Sequence, residues 1–191
     1  MDKQKKIVIL GVSGRMGQRL VQAVEENPNT KLVGATERPG HDWVGLDLGL
    51  VMFGKKNGIL VSDEPIKNFI DTDAVIDFTS PAATISHSVL SAQARIVHVI
   101  GTTGFSQEQI KKIKMAAQHA IIIRAGNMSL GVNLLVQLTK QVSAVLDKQY
   151  DIEILEMHHN KKIDAPSGTA LMLGEAAAKG RGIKLEDPSK H

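Results

Sequence analysis

Lys6-Ile7-Val8-Ile9-Leu10-Gly11-Val12-Ser13-Gly14-Arg15-Met16-Gly17 reads as a short apolar β-branched strand, a glycine turn and the start of a helix. The helical pattern continues through Leu20, Val21 and Val24 and stops at Asn27-Pro28. A second strand is predicted from Lys31 to Thr36, and it ends in Glu37-Arg38. Strand, glycine turn, helix, strand and then an acid is the pattern of a dinucleotide-binding unit. There the glycines let a pyrophosphate approach the helix N-terminus, and the acid bonds the adenosine ribose hydroxyls. An arginine beside that acid can instead meet a 2′-phosphate. The spacing is G-x-x-G-x-x-G, with Ser13 where the usual fingerprint has its second glycine, so the turn alone is a moderately specific signal.

Farther along, strands and helices keep alternating. Asp73 to Phe78 reads as a strand leading into Thr79-Ser80-Pro81 and a helix from Ala82 to Ala94, with the proline suited to the first turn. Arg95 to Ile100 reads as a strand ending in Gly101-Thr102-Thr103-Gly104. Ser106 is placed to cap a helix from Gln107 to His119, with Glu108 one position short of a capping box. Ile121 to Ile123 is the next strand and ends in Ala125-Gly126-Asn127. This alternation predicts an α/β fold, a doubly wound parallel sheet of Rossmann type with helices on both faces. The small and hydroxyl residues at successive strand ends then line the edge where such sheets bind ligands.

Residues 39–63 carry Gly40, Gly45, Gly49, Gly54, Gly58 and Trp43 and fit no repeat. They read either as a long loop near the adenine end of a cofactor, with one strand at Ile59 to Val61, or as a glycine-rich disordered insertion. Leu134, Leu135, Leu138, Val142, Val145 and Leu146 mark a helix from Ser129 to Leu146 whose spacing predicts core packing. The domain boundary is placed just before it, giving a nucleotide domain over 1–127 and a substrate domain over 128–191. His41, His87, His98 and His119 lack metal-ligand spacing and are read as structural or solvent-facing, so no metal is expected.

The richest chemistry lies in Glu153-Ile154-Leu155-Glu156-Met157-His158-His159-Asn160-Lys161-Lys162-Ile163-Asp164-Ala165-Pro166-Ser167-Gly168-Thr169-Ala170. Ile152, Ile154 and Met157 alternate with charged neighbours, which predicts a strand from Asp151 to Met157 that delivers His158 and His159 to its end. Ser167 can cap a helix. The amides of Ser167, Gly168 and Thr169 would sit at its positive end as a carboxylate or phosphate site, with Lys162 adding a full charge. Each residue alone also reads blandly, as a surface histidine pair, a solvated lysine loop or a plain helix cap. Their coincidence in one turn favours a site that holds an anion and moves a proton.

Composition narrows the classes. A net charge of +3 and 3% aromatic residues give no stacking platform for nucleic acid. With no cysteine there is no disulfide framework and no thiol chemistry, as in a reducing cytoplasm. No apolar run reaches transmembrane length, and Ile7 to Leu10 is too short for a signal peptide core. No membrane and no nucleic-acid partner is expected.

Taken together, GVSGRMG at Gly11 to Gly17, GTT at Gly101 to Thr103, AGNMSLGVN from Ala125 to Asn133 and EMHHNKKIDAPSGTA resemble the 4-hydroxy-tetrahydrodipicolinate (dihydrodipicolinate) reductase family. The resemblance runs from Lys6 to about Gly180. It implies a Rossmann-like domain binding NADH or NADPH, a mixed α/β substrate domain that assembles a cytoplasmic homotetramer, and a dicarboxylate substrate reduced on the route to lysine and diaminopimelate. By resemblance, His158 is the general acid or base and Lys162 a proton donor that stabilises developing charge. His159 with Gly168 and Thr169 would bind substrate carboxylate. On the cofactor side, Gly11, Val12, Ser13, Gly14, Arg15 and Met16 would hold the pyrophosphate, Glu37 the ribose and Arg38 a 2′-phosphate. Gly101, Thr102, Thr103, Ala125, Gly126, Asn127 and Met128 would run along the nicotinamide half.

Members of that family continue beyond the helix after Ser-Gly-Thr, whereas this sequence stops at residue 191. The expectation is that these residues alone bind NADPH weakly, form no defined tetramer and show little reductase activity. Two other classes stay open: another pyridine-nucleotide dehydrogenase of the aspartate pathway, and a catalytically silent nucleotide-binding module.

Overall fold

The computed structural model describes residues 4–146, 149–158 and 165–185. Residues up to Arg124 form one compact unit and those from Ala125 onward a second.

In the first unit β1 (Lys5–Leu10), α1 (Arg15–Glu26), β2 (Thr30–Thr36), α2 (Leu48–Phe53), β3 (Val61–Ser62), α3 (Pro65–Phe69), β4 (Ala74–Asp77), α4 (Pro81–Ala94), β5 (Val97–Ile100), α5 (Gln107–Ala116) and β6 (Ile122–Arg124) follow one another. The strands form one six-stranded sheet in the order β3-β2-β1-β4-β5-β6, and each neighbouring pair is parallel. That order is the doubly wound one, and its direction reverses between β1 and β4. The reversal opens a crevice at the carboxyl ends of those two strands.

β1 explains why the sheet is buried on both sides. Its residues alternate between faces, with Ile7 and Ile9 in one apolar cluster with Val12, Val21, Val24 and Leu32. Val8 and Leu10 lie in the other, with Phe69, Val75 and Ile96. A strand with both faces covered must be apolar throughout, as this run is.

Residues 39–63 are more ordered than either sequence reading allowed. Asp47 caps α2 by accepting from the Leu50 amide at 3.0 Å, and its carboxylate also takes the amides of Asn57 at 3.1 Å and Gly58 at 2.8 Å. Gly54 ends the helix in the left-handed conformation, with φ 70°. The segment then returns as β3, pairing Val61 and Ser62 with Ala35 and Thr36. In α5 the capping box is completed by Gln109 rather than Glu108: the Ser106 hydroxyl accepts from the Gln109 amide, and the Gln109 side chain accepts from the Ser106 amide.

The second unit holds α6 (Leu130–Val145) and α7 (Gly168–Gly180). They approach closely through small residues. A Cβ on Gly180 would stand 2.4 Å from the Lys140 carbonyl oxygen and 2.9 Å from the Ser143 Cβ. Two expectations are corrected here. The leucine stripe of α6 is not core, since Leu134 is 58% and Val142 54% exposed. α7 takes the small-residue face, and no described element covers the other. Nor does the strand expected from Asp151 to Met157 form. Alternation makes a segment ready for a sheet, but the ladder needs a neighbouring strand, and none of the six described strands lies in this unit. Among the described residues no helix is long and apolar enough to cross a membrane.

Candidate functional site

The β1–α1 turn is shaped for close approach. Gly11 adopts φ +69°, a conformation that favours glycine. Its amide and that of Val12 donate to the Thr36 carbonyl at 2.9 and 3.1 Å, which ties the turn to the end of β2. A Cβ on Gly17 would stand 2.3 Å from the Gly11 carbonyl oxygen, so the helix packs directly on the turn. Gly14, the N-cap of α1, carries no capping side chain. The positive end of the helix is thus left uncovered by its own cap, as an anion site requires.

Glu37, at the end of β2, reaches across to this turn. Its carboxylate accepts from the Ser13 amide at 3.1 Å, the Ser13 hydroxyl at 2.7 Å and the Arg38 amide at 3.0 Å. Burial pushes its pKa up, but the hydrogen bonds from the Arg38 amide and from Ser13 outweigh it, and the carboxyl titrates below its ordinary value. The residues fit a dinucleotide: an anion-binding helix end, a glycine close approach and an ionised acid at the ribose distance meet in one place. Arg38 is exposed beside them.

At the carboxyl ends of β4 and β5 lies a network that the sequence did not announce. Asp77 is fully buried, and one of its oxygens faces His87 Nδ1 at 2.9 Å and His98 Nε2 at 3.2 Å. The other accepts from the Thr79 amide at 3.1 Å and the Thr79 hydroxyl at 2.6 Å. His87 and His98, read as structural or solvent-facing, are buried partners of this carboxylate. Thr102, a predicted cofactor residue, is also buried, with its hydroxyl turned inward to this network. Its backbone is what remains for a ligand. Thr103 is exposed. The only signal for the network was the histidine pair in the middle of α4 and in β5, and its meaning needed the adjacency of β4 and β5.

Burial alone would raise the Asp77 pKa. The hydrogen bonds from His87 and His98, the charge of His87 and the Thr79 hydrogen bond overcome it and hold the carboxyl well below the usual carboxylate range. A pKa lower in the folded chain than in the unfolded one stabilises the fold above the unfolded value. That stabilisation is lost as the pH falls toward the folded one. We therefore expect the wild type to lose thermal stability more steeply than Asp77→Asn between roughly pH 4 and pH 2. Parallel melting profiles for the two would contradict this.

In the second unit the helix N-termini are cross-tied. The Asn127 side chain donates to the Thr169 hydroxyl at 3.1 Å and accepts from the Ser129 amide at 2.8 Å, while Asn133 donates to the Asn127 carbonyl at 3.0 Å. Ser129 caps α6 and Ser167 caps α7. Glu156 was not singled out by the sequence, yet its carboxylate accepts from the Ser167 amide at 2.8 Å and from the Ser167 hydroxyl. The same carboxylate lies 3.5 Å from His158 Nδ1. The anion site expected at the start of α7 thus already holds one carboxylate of the chain at Ser167, and Gly168 and Thr169 form the next residues of that turn. His158 is exposed, as are Gly126 and Met128, while Ala125 and Asn127 are half-buried. His159 and Lys162 lie outside the described residues.

Similarity to known proteins covers the whole of this arrangement. The family described as dihydrodipicolinate reductase, N-terminus, matches residues 5–128, and dihydrodipicolinate reductase, C-terminus, matches residues 131–190. A 4-hydroxy-tetrahydrodipicolinate reductase of Ruegeria pomeroyi is 62% identical over 181 residues, which is 95% of this chain and 67% of that protein. Its counterpart in Dinoroseobacter shibae is 60% identical over 183 residues, 96% of this chain and 68% of that one. Among solved structures, dipicolinate-bound dihydrodipicolinate reductase from Paenisporosarcina sp. TG-14 aligns with a TM-score of 0.74 and 31% identity, over 98% of this chain and 71% of that one. The chain thus spans about two thirds of the length of these curated relatives, and across both of its units it belongs to the dihydrodipicolinate reductase family.

Proposed function

We propose that this chain is an NAD(P)H-dependent oxidoreductase that reduces 4-hydroxy-tetrahydrodipicolinate to tetrahydrodipicolinate in diaminopimelate and lysine biosynthesis. The observation that carries this is the in-order match of both halves of one reductase family, over residues 5–128 and 131–190. The glycine turn and Glu37 supply the physical site that such a reductase needs for its cofactor. The dipicolinate in the Paenisporosarcina enzyme supports a planar dicarboxylate as the ligand class. The two-part match speaks against a different dehydrogenase of the aspartate pathway, and the assay below separates a silent nucleotide-binding module.

When bound, the nicotinamide supplies hydride to the C4 position of the substrate ring. The residues of the chain do the rest. The end of α1 and the Gly11–Met16 turn hold the pyrophosphate, and Glu37 takes the ribose. Thr103, the Gly101 and Thr102 backbone, and Ala125 to Met128 serve the nicotinamide half. His158 holds and releases the proton that must reach the carbon beside the hydride acceptor, a task suited to an imidazole near neutrality. Lys162 offsets the charge that grows as hydride arrives, and His159 with Gly168 and Thr169 fixes a substrate carboxylate. The uncovered apolar stripe of α6 supports assembly into a homotetramer, and the pyridine-nucleotide cofactor supports a cytoplasmic location. The test is a coupled assay in which pyruvate and aspartate semialdehyde generate the labile substrate and NADPH absorbance is followed. With this sequence extended to the length of its relatives, no substrate-dependent oxidation despite NADPH binding would refute the assignment.

Glu37 and Arg38 together support use of both cofactors with modest discrimination. The acid repels a 2′-phosphate and the exposed arginine can pair with it. Arg38→Ala is expected to weaken NADPH by about ten- to hundredfold, with NADH changed by less than about twofold. Equal losses in parallel titrations would remove Arg38 from this role.

A further inference from the structure

We propose that Asp77 is a positioning residue for the cofactor, clamping the β4–α4 and β5–α5 turns into one fixed edge through Thr79 and Thr102. This deepens the reading above and rests on its placement of the nicotinamide half along Gly101 to Thr103.

Asp77 collects donors from one helix, one strand and two turns. His87 comes from α4, His98 from β5, Thr79 from the turn after β4, and Thr102, at 3.4 Å, from the turn after β5. The Thr102 hydroxyl is the hub between the two turns. It accepts from the Thr79 amide at 3.0 Å and from the Thr84 hydroxyl at 3.0 Å, and donates toward Asp77. A hydroxyl has one proton and two acceptor sites, so this one is saturated. Ser88 closes the rear, donating to the Thr84 carbonyl at 2.8 Å and lying 3.3 Å from His98 Nδ1.

Stability alone does not call for such a cluster. A buried carboxylate is costly to desolvate, and well-packed apolar residues of similar volume are often as stable or more so. What the polar cluster adds is direction, because each hydrogen bond fixes where a turn can lie. The first of the turns it fixes lies where strand order reverses, and the Gly11 turn abuts it. A Cβ on Gly11 would stand 2.8 Å from Thr79 Cγ2. Gly101 sits closer still against Phe78, since a Cβ there would overlap its ring at 2.0 Å. The backbone facing a ligand is therefore set from behind by Asp77.

The test compares NADH with ADP-ribose, which lacks the nicotinamide half, in binding titrations on the 191-residue chain. Asp77→Asn is the direct variant. Thr102→Val, which keeps the side-chain shape while removing the hub, serves where the first fails to fold, with Thr102→Ser as its rescue. We expect Asp77→Asn and Thr102→Val to weaken NADH by about three- to tenfold, to leave ADP-ribose within about twofold, and Thr102→Ser to restore NADH binding. Equal losses for both ligands, or no loss for NADH in a folded variant, overturn the positioning role. A wild-type chain that binds NADH no more tightly than ADP-ribose overturns the placement of the nicotinamide half, and one that binds neither overturns the cofactor reading; either takes the proposal with it.

Discussion

Replacing His158 with alanine is expected to lower turnover by roughly two to four orders of magnitude while changing NADPH affinity by less than about twofold. His158 belongs to the second unit, whereas the glycine turn and Glu37 belong to the first, so the two properties should separate. His158 is exposed, with Nδ1 3.5 Å from the Glu156 carboxylate. Glu156 is itself anchored by the amide and hydroxyl of Ser167 at the cap of α7. An imidazole oriented through Nδ1 keeps Nε2 for the proton that follows hydride addition, and removing the ring removes that relay. Lys162→Ala should behave alike, because it removes the proposed cationic partner of the charge growing on the ring. His159→Ala and Thr169→Ala should instead raise the substrate KM more than they lower turnover, as expected for residues that hold a carboxylate equally in ground and transition states. Near-normal turnover of the His158 variant at saturating substrate would remove it from the proton step.

How far these roles could be read in advance depended on distance along the chain. The β1 run, its glycine turn and Glu37 announce themselves because each signal is local, and a parallel sheet repeats that unit with helices in predictable places. The caps at Ser106 and Ser167 were legible for the same reason. Asp77 was not, since its partners stand ten and 21 residues away and meet it only because β4 and β5 are neighbours. α2 hid in a glycine-rich stretch, because Asp47 organises it by reaching ten and 11 residues onward to Asn57 and Gly58. The second unit shows the converse. Alternation from Asp151 to Met157 and the leucine period of α6 were both present, yet neither produced a strand or a core. A pattern states which face wants cover, and only a neighbouring element provides it.

Gly17→Ala is expected to destabilise the chain by about 3 kcal/mol or more and to weaken NADH at least about hundredfold. The usual sign is the opposite, because alanine inside a helix is normally favoured over glycine by up to about 1 kcal/mol. Here the added carbon would lie 2.3 Å from the Gly11 carbonyl oxygen, 2.7 Å from the Val12 Cα and 2.9 Å from the Val12 carbonyl carbon. All three are backbone atoms of the preceding turn, so no side chain can rotate to make room. That turn is held at φ +69° and by hydrogen bonds to Thr36. Relief then comes from shifting α1 off the sheet, which withdraws Val21 and Val24 from the core they share with Ile7 and Ile9. It also displaces the helix end that meets the pyrophosphate. Gly14→Ala is the matched control, since its added carbon meets only the Gly11 carbonyl oxygen, at 3.3 Å. It should melt close to wild type. The loss of about 3 kcal/mol at Gly17 is a large share of the roughly 5–15 kcal/mol that stabilises a typical domain, so it should appear as a fall of roughly 10 °C in Tm. A Gly17→Ala chain that melts with the wild type and binds NADH as tightly would show that the turn and helix do not pack as described.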